Sequence, residues 1–213
     1  MADSEFKATP QVGADHYRPS AYLNPHRMAS FGHQLSAVMN HFPGATLLEI
    51  GGGTGIVKQL LRLEGHPVWA MDLDPALSPD VVASLPRIPL RDACVDVVLC
   101  CQVLEHVPFE VACAALKEMR RIAKKGAVIS VPSVRRGIAL TVFSPGRNGS
   151  RLIGLPSLGR GRIRAPQEHH WELEANVSTS AFRSAIREAG FVIEKDFRPA
   201  ANMYHHFFVL RTS

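Results

Sequence analysis

Residues 47–55 read LLEIGGGTG, in which a short apolar run containing one acid, Glu49, is followed by four glycines among five residues. This order is typical of a buried β-strand that ends in a tight turn and leads into a helix. Loops of this kind hold nucleotide-like ligands, because their backbone amides can approach a ligand closely. The stretch therefore predicts an α/β fold with a ligand at the end of its first strand.

On either side of this loop, strand-like and helical segments alternate along the chain. Near-continuous apolar strands are typical of parallel sheets that are covered by helices on both faces. The last two strands follow each other without a helix, so we expect them to pair antiparallel. The predicted strands are residues 45–50, 68–74, 80–84, 95–101, 126–132, 191–197 and 205–212, and the predicted helices lie within 20–42, 55–65, 108–125 and 178–190. The pattern predicts an α/β, doubly wound, seven-stranded sheet.

Two further regions complete the predicted domain organisation. Residues 1–42 are predicted to form an N-terminal tail and a helical cap on the main domain, residues 43–213. Residues 133–177 form a basic insertion, and its part 133–167 holds seven arginines and six glycines but no acid. Long irregular segments inside a compact domain are usually functional. Because this one leaves the C-terminal end of the fifth strand, where ligands bind in such sheets, we predict that it is a substrate lid.

The glycine spacing and its acid decide between the ligand classes. A P-loop requires the pattern GxxxxGK[ST], but Gly55 is followed by Ile56. The dinucleotide pattern GxGxxG, started at Gly51, would place Ile56 where close helix packing needs a third glycine. A carboxylate at Glu49 would also repel a pyrophosphate, whereas it suits a ligand that carries a sulfonium and an ammonium group. The loop therefore favours S-adenosylmethionine as the cofactor.

An acid at the end of the second strand supports this interpretation. Asp72 lies 23 residues after Glu49, about where a carboxylate can accept hydrogen bonds from the hydroxyls of a bound ribose. Nicotinamide enzymes place an acid there too, so Asp72 does not discriminate by itself. Asp74, which precedes a proline, is the better candidate for a turn residue.

Four stretches, taken in order, carry a resemblance to a known family. They are LLEIGGGTG (47–55), AMDLDP (70–75), IPLRDACVDVVLCCQVLEHVPFE (88–110) and GAVISVPS (126–133). Together they resemble the class I S-adenosylmethionine-dependent methyltransferases, and most of all the small ubiquinone-biosynthesis-like branch of the Methyltransf_11 type. The resemblance implies a Rossmann-like fold. The segments EHHWEL (168–173) and YHHFFVL (204–210) also resemble small bacterial and archaeal methyltransferases of unassigned substrate, so no acceptor is implied.

The resemblance also implies which positions hold the cofactor. Glu49 would orient the methionine part beside the glycines, Asp72 would hold the ribose, and Leu73 would pack on the adenine. The family's acid at the adenine amino group is replaced here by Ser84, so we expect its hydroxyl or the backbone of Leu85 to substitute. The predicted cofactor-binding residues are Glu49, Gly51, Gly53, Gly55, Asp72, Leu73, Ser84, Leu85, Cys101 and Gln102.

Methyl transfer to a hydroxyl requires an oriented acceptor and a base. Glu105 and His106 follow the fourth strand, and more candidates lie in the insertion. The predicted catalytic residues are His106, His169, His170 and Glu172. The four cysteines have no metal-ligand spacing, and no metal is expected. Residues 101–104 read CQVL where methyltransferases of nucleobase amines carry an Asn-Pro-Pro-Tyr-like sequence, so that acceptor is disfavoured.

The sequence thus favours transfer of a methyl group to a small, anionic acceptor, most readily at oxygen. The formal net charge of +5 indicates an anionic partner without identifying it. An RNA methyltransferase stays open, and so does a catalytically silent protein that binds the cofactor or a partner. No apolar run approaches the roughly 18–20 residues of a membrane span and no signal peptide is apparent, so we expect a cytoplasmic location.

Overall fold

The computed structural model describes residues 22–144, 147–154 and 162–213, and most of the predicted N-terminal tail lies outside these ranges. The strands are β1 (Leu47–Ile50), β2 (Val68–Asp72), β3 (Val81–Val82), β4 (Val95–Cys101), β5 (Ala123–Pro132), β6 (Gly137–Ser144), β7 (Arg147–Gly154), β8 (Phe191–Phe197) and β9 (His205–Thr212). The helices are α1 (Pro25–His41), α2 (Ile56–Leu63), α3 (Phe109–Ile122) and α4 (Thr179–Glu188).

Seven strands form one sheet in the order β3-β2-β1-β4-β5-β9-β8. Strands β1 to β5 pair parallel, whereas β9 pairs antiparallel with both β5 and β8. The prediction of a Rossmann-like, doubly wound sheet with an antiparallel C-terminal hairpin is confirmed. The chain runs outward from β1 to β3 and then returns to β4 on the other side of β1. The C-terminal ends of β1 and β4 are therefore the switch point at which such sheets bind ligands.

Helices cover both faces of the sheet, and each face has its own core. Leu47 of β1 and Val97 of β4 pack with residues of α1 and α2 on one face. Leu48 and Val98 pack with α3 and α4 on the other. Because side chains alternate along a strand, these consecutive apolar residues fill two cores at once.

The insertion differs from the irregular segment that the sequence predicts. Strands β6 and β7 pair antiparallel as a separate hairpin, from Gly137 opposite Gly154 to Ser144 opposite Arg147. The richness in glycine and arginine hides the strand pattern of residues 137–144, although these residues read GIALTVFS.

The segments around β2 and α1 follow the sequence closely. Asp74 caps the short 3-10 helix Pro75–Leu77 by accepting a hydrogen bond from the amide of Ala76 at 2.9 Å, as expected of the turn residue. The predicted helical region within 20–42 is a single helix that begins at Pro25 after the N-cap Asn24. Among the helices of the described ranges, none combines the length and the apolar character that crossing a membrane requires.

Candidate active site

A cavity of about 300 Å³ lies at the C-terminal ends of β1 and β4. It is enclosed by the glycine loop, helix α1, the segment after β4, the C-terminal part of the insertion and the start of β9. The residues that line it are Tyr22, Arg27, Ser30, Phe31, Gln34, Glu49, Ile50, Gly51, Gly52, Val57, Leu99, Cys101, Gln102, Glu105, His106, Ala165, Glu168, His169, Tyr204 and His205. The fold thus gathers segments from the whole chain around the loop that follows β1.

The glycines after β1 are required by geometry. Gly51, Gly53 and Gly55 have φ angles of 69°, 53° and 70°, which residues with a side chain rarely adopt. A Cβ atom on Gly51 would clash with the side chain of Val103. A Cβ atom on Gly52 would lie 2.9 Å from the carboxylate of Glu49. Positions 51 and 52 therefore have room only for glycine.

Glu49 is the carboxylate at the floor of this loop. It is 4% exposed, and its Oε2 atom has no hydrogen-bond partner among the described residues. Burial and the negative charge of Asp72 raise the pKa of Glu49 to about 7, although the backbone amide and the ammonium of Lys58 oppose this shift. A buried carboxylate oxygen without a partner fits a ligand with an ammonium group, such as the methionine part of the predicted cofactor.

Asp72 lies on the other side of the glycine loop. Its carboxylate accepts a hydrogen bond from the amide of Asp74 at 3.1 Å. Burial raises its pKa, while hydrogen bonds from the backbone amides of Asp74, Leu73 and Gly53 act in the opposite direction. Asp72 therefore holds the loop in place. Asp72, Gly53 and Gly55 line a second cavity of about 140 Å³, and the ribose contact itself stays a prediction.

The other predicted cofactor residues fall into two groups. Cys101 and Gln102 line the larger cavity, as expected. Gln102 has a φ of 58° and is held by Ser130, whose carbonyl accepts from its amide at 2.8 Å and whose hydroxyl accepts from its Nε2 at 3.2 Å. Leu73, Ser84 and Leu85 line neither of the two cavities. Leu85 is buried in the core, so its side chain is a packing element.

At the opposite end of the larger cavity, Glu105, His106 and His169 come together. Glu105 and His106 belong to a 3-10 turn after β4, whereas His169 comes from the insertion. One ligand-capable atom from each residue lies within 4.8 Å of the other two. The rings of His106 and His169 meet edge to face, with centroids 5.0 Å apart.

Glu105 is unusual because its carboxylate is fully buried. Neither of its oxygens has a hydrogen-bond partner in the part of the chain that the structure describes. Burial raises the pKa of Glu105 to about 8, although its own backbone amide and the charge of His169 oppose this shift; the charge of Glu172 adds to it. The sequence placed Glu105 near the cofactor but gave no indication that its carboxylate would be unpaired.

Glu172 accepts the hydrogen bonds that hold the insertion side of the site in position. Its Oε1 accepts hydrogen bonds from Nδ1 of His169 at 2.8 Å and from the hydroxyl of Tyr204 at 2.6 Å. The amides of Arg164 and Ala165 donate to its two oxygens at 3.0 and 3.2 Å. Burial opposes ionisation, but these bonds hold the pKa of Glu172 below its usual value. Glu172 therefore orients His169 rather than lining the cavity itself.

The two residues that follow His169 do not line the cavity. The side chain of His170 is exposed, and its backbone amide donates to the carbonyl of Glu105 at 2.8 Å. Trp171 is 1% exposed, and its Nε1 donates to the carbonyl of Val107 at 3.1 Å. The tryptophan thus anchors the insertion to the core, and it is not a stacking platform for a ligand.

Several cavity residues are absent from the sequence-based list. Helix α1 contributes Arg27, Ser30 and Gln34, while Tyr204 just before β9 and His205 at its start complete the set. Ser30 and Gln34 are buried although polar, and the Ser30 hydroxyl lies 2.9 Å from Nδ1 of His205. The spacing of three and four residues along α1 was the available signal, because it puts these polar groups on one face of the helix.

Comparison with known proteins agrees with this geometry. Residues 48–131 match the family Methyltransf_11, described as a methyltransferase domain. The chain is 29% identical over 120 residues to malonyl-[acyl-carrier protein] O-methyltransferase from Serratia marcescens. That match includes 50% of this chain and 45% of the relative, so the chain spans about half the length of the curated relative it matches.

Solved structures share the fold at low sequence identity. The 1,6-didemethyltoxoflavin-N1-methyltransferase of Burkholderia thailandensis, with 1,6-didemethyltoxoflavin and S-adenosylhomocysteine bound, has a TM-score of 0.60 at 17% identity, over 93% of this chain and 83% of that one. The N-methyltransferase NodS from Bradyrhizobium japonicum, in complex with S-adenosylhomocysteine, has a TM-score of 0.62 at 11% identity. This match covers 95% of this chain and 94% of that one. The predicted resemblance and the predicted cofactor, S-adenosylmethionine, are confirmed.

Proposed function

We propose that this class I S-adenosylmethionine-dependent methyltransferase transfers the methyl group to an oxygen atom of a small, anionic acceptor. The observation that carries the proposal is the larger cavity, which has Glu49 and the glycine loop at one end and Glu105, His106 and His169 at the other. A volume of about 300 Å³ is at the lower limit for pockets that hold small molecules. The acceptor is therefore small.

When bound, the cofactor supplies an electrophilic methyl group on its sulfonium. The carboxylate of Glu49 would hold the ammonium of the methionine part, which would lie against Gly51 and Gly52 in the same cavity. Glu105, His106 and His169 would hold the acceptor hydroxyl and handle its proton. The methyl carbon would pass to the acceptor oxygen as the carbon–sulfur bond breaks, and the electron pair of that bond would stay on sulfur.

One arginine that lines the cavity and two that lie on the segment leading to it support an anionic acceptor. Arg27 lines it, with its guanidinium 4.0 Å from the ring centroid of Tyr22. Arg162 and Arg164 are exposed on the segment that leads to His169, whereas Arg160 of the same insertion lies outside the described residues. An arginine fork suits a carboxylate or a phosphate. The Serratia relative is named as an O-methyltransferase of a malonyl group, which agrees with an acidic acceptor.

In the same proposal, residues 133–177 act as the substrate lid. Ala165, Glu168 and His169 of this segment line the cavity together with Gly51. Opening of the segment would admit the acceptor, and closing would exclude water from the sulfonium. Glu172 would position His169 during both states. His170, which is exposed, has no role in this proposal.

The test uses the purified chain, S-adenosylmethionine and a panel of hydroxy acids and phosphorylated alcohols. Release of S-adenosylhomocysteine is followed with a coupled assay, and mass spectrometry of the product identifies the methylated atom. We expect turnover with an acidic hydroxyl compound, and Arg27→Gln should raise the KM for it without changing S-adenosylhomocysteine affinity. Failure of millimolar S-adenosylhomocysteine to raise the melting temperature would refute the proposal, because a ligand of the folded state must stabilise it.

Two other outcomes would redirect the assignment. RNA as the acceptor would show itself as affinity for RNA that falls steeply with salt concentration. Cofactor binding without turnover over the whole panel would identify a silent binding protein instead. Both outcomes contradict the proposed small-molecule acceptor while leaving the cofactor site intact.

A further inference from the structure

The cluster of Glu105, His106 and His169 has the composition of a metal site. Its residues come from two segments more than sixty positions apart, so the sequence did not suggest such a site. One carboxylate oxygen and one nitrogen from each ring can lie within 4.8 Å of one another. A cation bound at about 2.1 Å from each of three ligand atoms brings these atoms to roughly 3.0–3.5 Å from one another. Binding would therefore draw the three side chains inward from the separations of up to 4.8 Å seen here.

The carboxylate of Glu105 is an independent indication of a cation. It lines the cavity, is 0% exposed, and neither oxygen has a hydrogen-bond partner within the described ranges. An unpaired carboxylate in such a place is costly, and buried charges in proteins are normally paired or coordinate a metal. Glu105 lies in the 3-10 turn that follows β4, and its side chain is not exposed to solvent.

The two histidines are oriented in the way that metal-binding histidines usually are. Nδ1 of His169 donates to the carboxylate of Glu172 at 2.8 Å. Nδ1 of His106 donates to the backbone carbonyl of Glu168 at 3.0 Å. A second hydrogen bond of this kind fixes the tautomer, so that in the neutral ring the lone pair is on Nε2. The chain therefore supplies both the ligands and the groups that orient them.

We propose that Glu105, His106 and His169 bind one divalent transition-metal ion. Two imidazoles and one carboxylate favour Zn²⁺, Mn²⁺, Fe²⁺ or Co²⁺ over Mg²⁺ or Ca²⁺, which prefer oxygen ligands. Three protein ligands leave coordination positions open toward the cavity.

The use of the ion in methyl transfer rests on the proposed function, whereas its binding does not. An acceptor hydroxyl at an open position would have a lowered pKa and would lose its proton to water. The resulting oxygen would then bond to the methyl carbon as the carbon–sulfur bond breaks, and the electron pair would stay on sulfur. The ion would take the place of a side-chain base.

The experiment measures binding of Co²⁺ and Zn²⁺ to the full chain without a histidine tag. Calorimetry gives the affinity and the stoichiometry, and the visible spectrum of Co²⁺ reports nitrogen and oxygen ligands. The variants are Glu105→Gln, His169→Ala and Glu172→Gln, with the exposed His26→Ala as the matched control. Melting temperatures and S-adenosylhomocysteine affinity are measured on each variant, which shows whether it is folded and whether the cofactor site is intact.

We expect one ion per chain in the wild type and in His26→Ala. Affinity should fall about 10- to 100-fold in Glu172→Gln, as for other groups that orient metal ligands, and further in Glu105→Gln and His169→Ala. The proposal is overturned if the wild type binds neither ion at micromolar concentration, or if folded Glu105→Gln and His169→Ala bind as tightly as the control. S-adenosylhomocysteine binding is measured separately from metal binding. A result that refutes the metal site can therefore be distinguished from one that refutes the proposed function.

Discussion

Cofactor binding should depend on pH through Glu49. Its carboxylate is buried with one oxygen unpartnered, and burial together with the charge of Asp72 raises its pKa to about 7 against the opposing effect of Lys58. The ammonium of S-adenosylhomocysteine should bind the ionised form, so below pH 7 binding must first remove a proton. Affinity should therefore fall as the pH falls, by nearly tenfold per unit and about 15-fold from pH 7 to pH 5.5.

The assay is calorimetry of S-adenosylhomocysteine binding between pH 5.5 and pH 7, repeated in two buffers of different ionisation enthalpy. At pH 6 the wild type should release close to one proton per bound ligand. Glu49→Gln should bind about 10- to 100-fold more weakly at pH 7, which corresponds to a lost charged hydrogen bond, and it should release almost no proton. An unchanged wild-type affinity over this range, or a variant with the same pH dependence as the wild type, would refute the role of Glu49.

Three further predictions follow from the geometry. Asp72→Ala should weaken S-adenosylhomocysteine binding about 10- to 100-fold, because two ribose hydroxyls would lose a charged acceptor. Calorimetry of this variant, with Asp72→Asn for comparison, checks the prediction. Unchanged affinity would mean that Asp72 only stabilises the loop. In urea titrations, Trp171→Ala should lower the free energy of unfolding by about 3–5 kcal/mol, and Trp171→Phe should lower it by less. A decrease below about 1 kcal/mol for Trp171→Ala would contradict the role of Trp171 as an anchor. Replacing Arg162 and Arg164 with glutamine should raise the acceptor KM and leave cofactor affinity unchanged, and loss of cofactor affinity in the same titration would exclude a lid function.

The sequence predicted the sheet because its signals are local. The apolar run at residues 47–50 and the glycines after it specify a strand and a turn without reference to the rest of the chain. The antiparallel end of the sheet followed from the missing helix between residues 191–197 and 205–212. The hairpin over residues 137–154 was not predicted, because its glycines and arginines favour a loop by composition although its first strand is apolar.

The cofactor side of the site was easier to predict than the acceptor side, because its sequence signals are also local. Glu49 and Gly51 lie in one continuous segment, and their positions follow from β1. The meeting of Glu105 with His169 depends instead on how the insertion packs, which is set by Trp171 and Glu172 through contacts that no local pattern encodes. Ser30 on α1 was not predicted for the same reason. Helix α1 precedes the glycine motif in the sequence, and it reaches the site only through the tertiary fold.

The two buried carboxylates at the two ends of the cavity have the same consequence for ligand binding. Glu49 lies in β1, and Glu105 lies in the turn that follows the neighbouring strand β4. Burial, together with the charges of both carboxylates, raises the pKa of the Cys101 thiol to about 12. Each has at least one oxygen without a partner in the described structure. Burying such groups lowers the stability of the unliganded fold, so their presence indicates ligands that bring positive charge. We expect S-adenosylhomocysteine and the proposed divalent ion each to raise the melting temperature, because each binds only the folded state and pairs with a carboxylate that is otherwise without a partner.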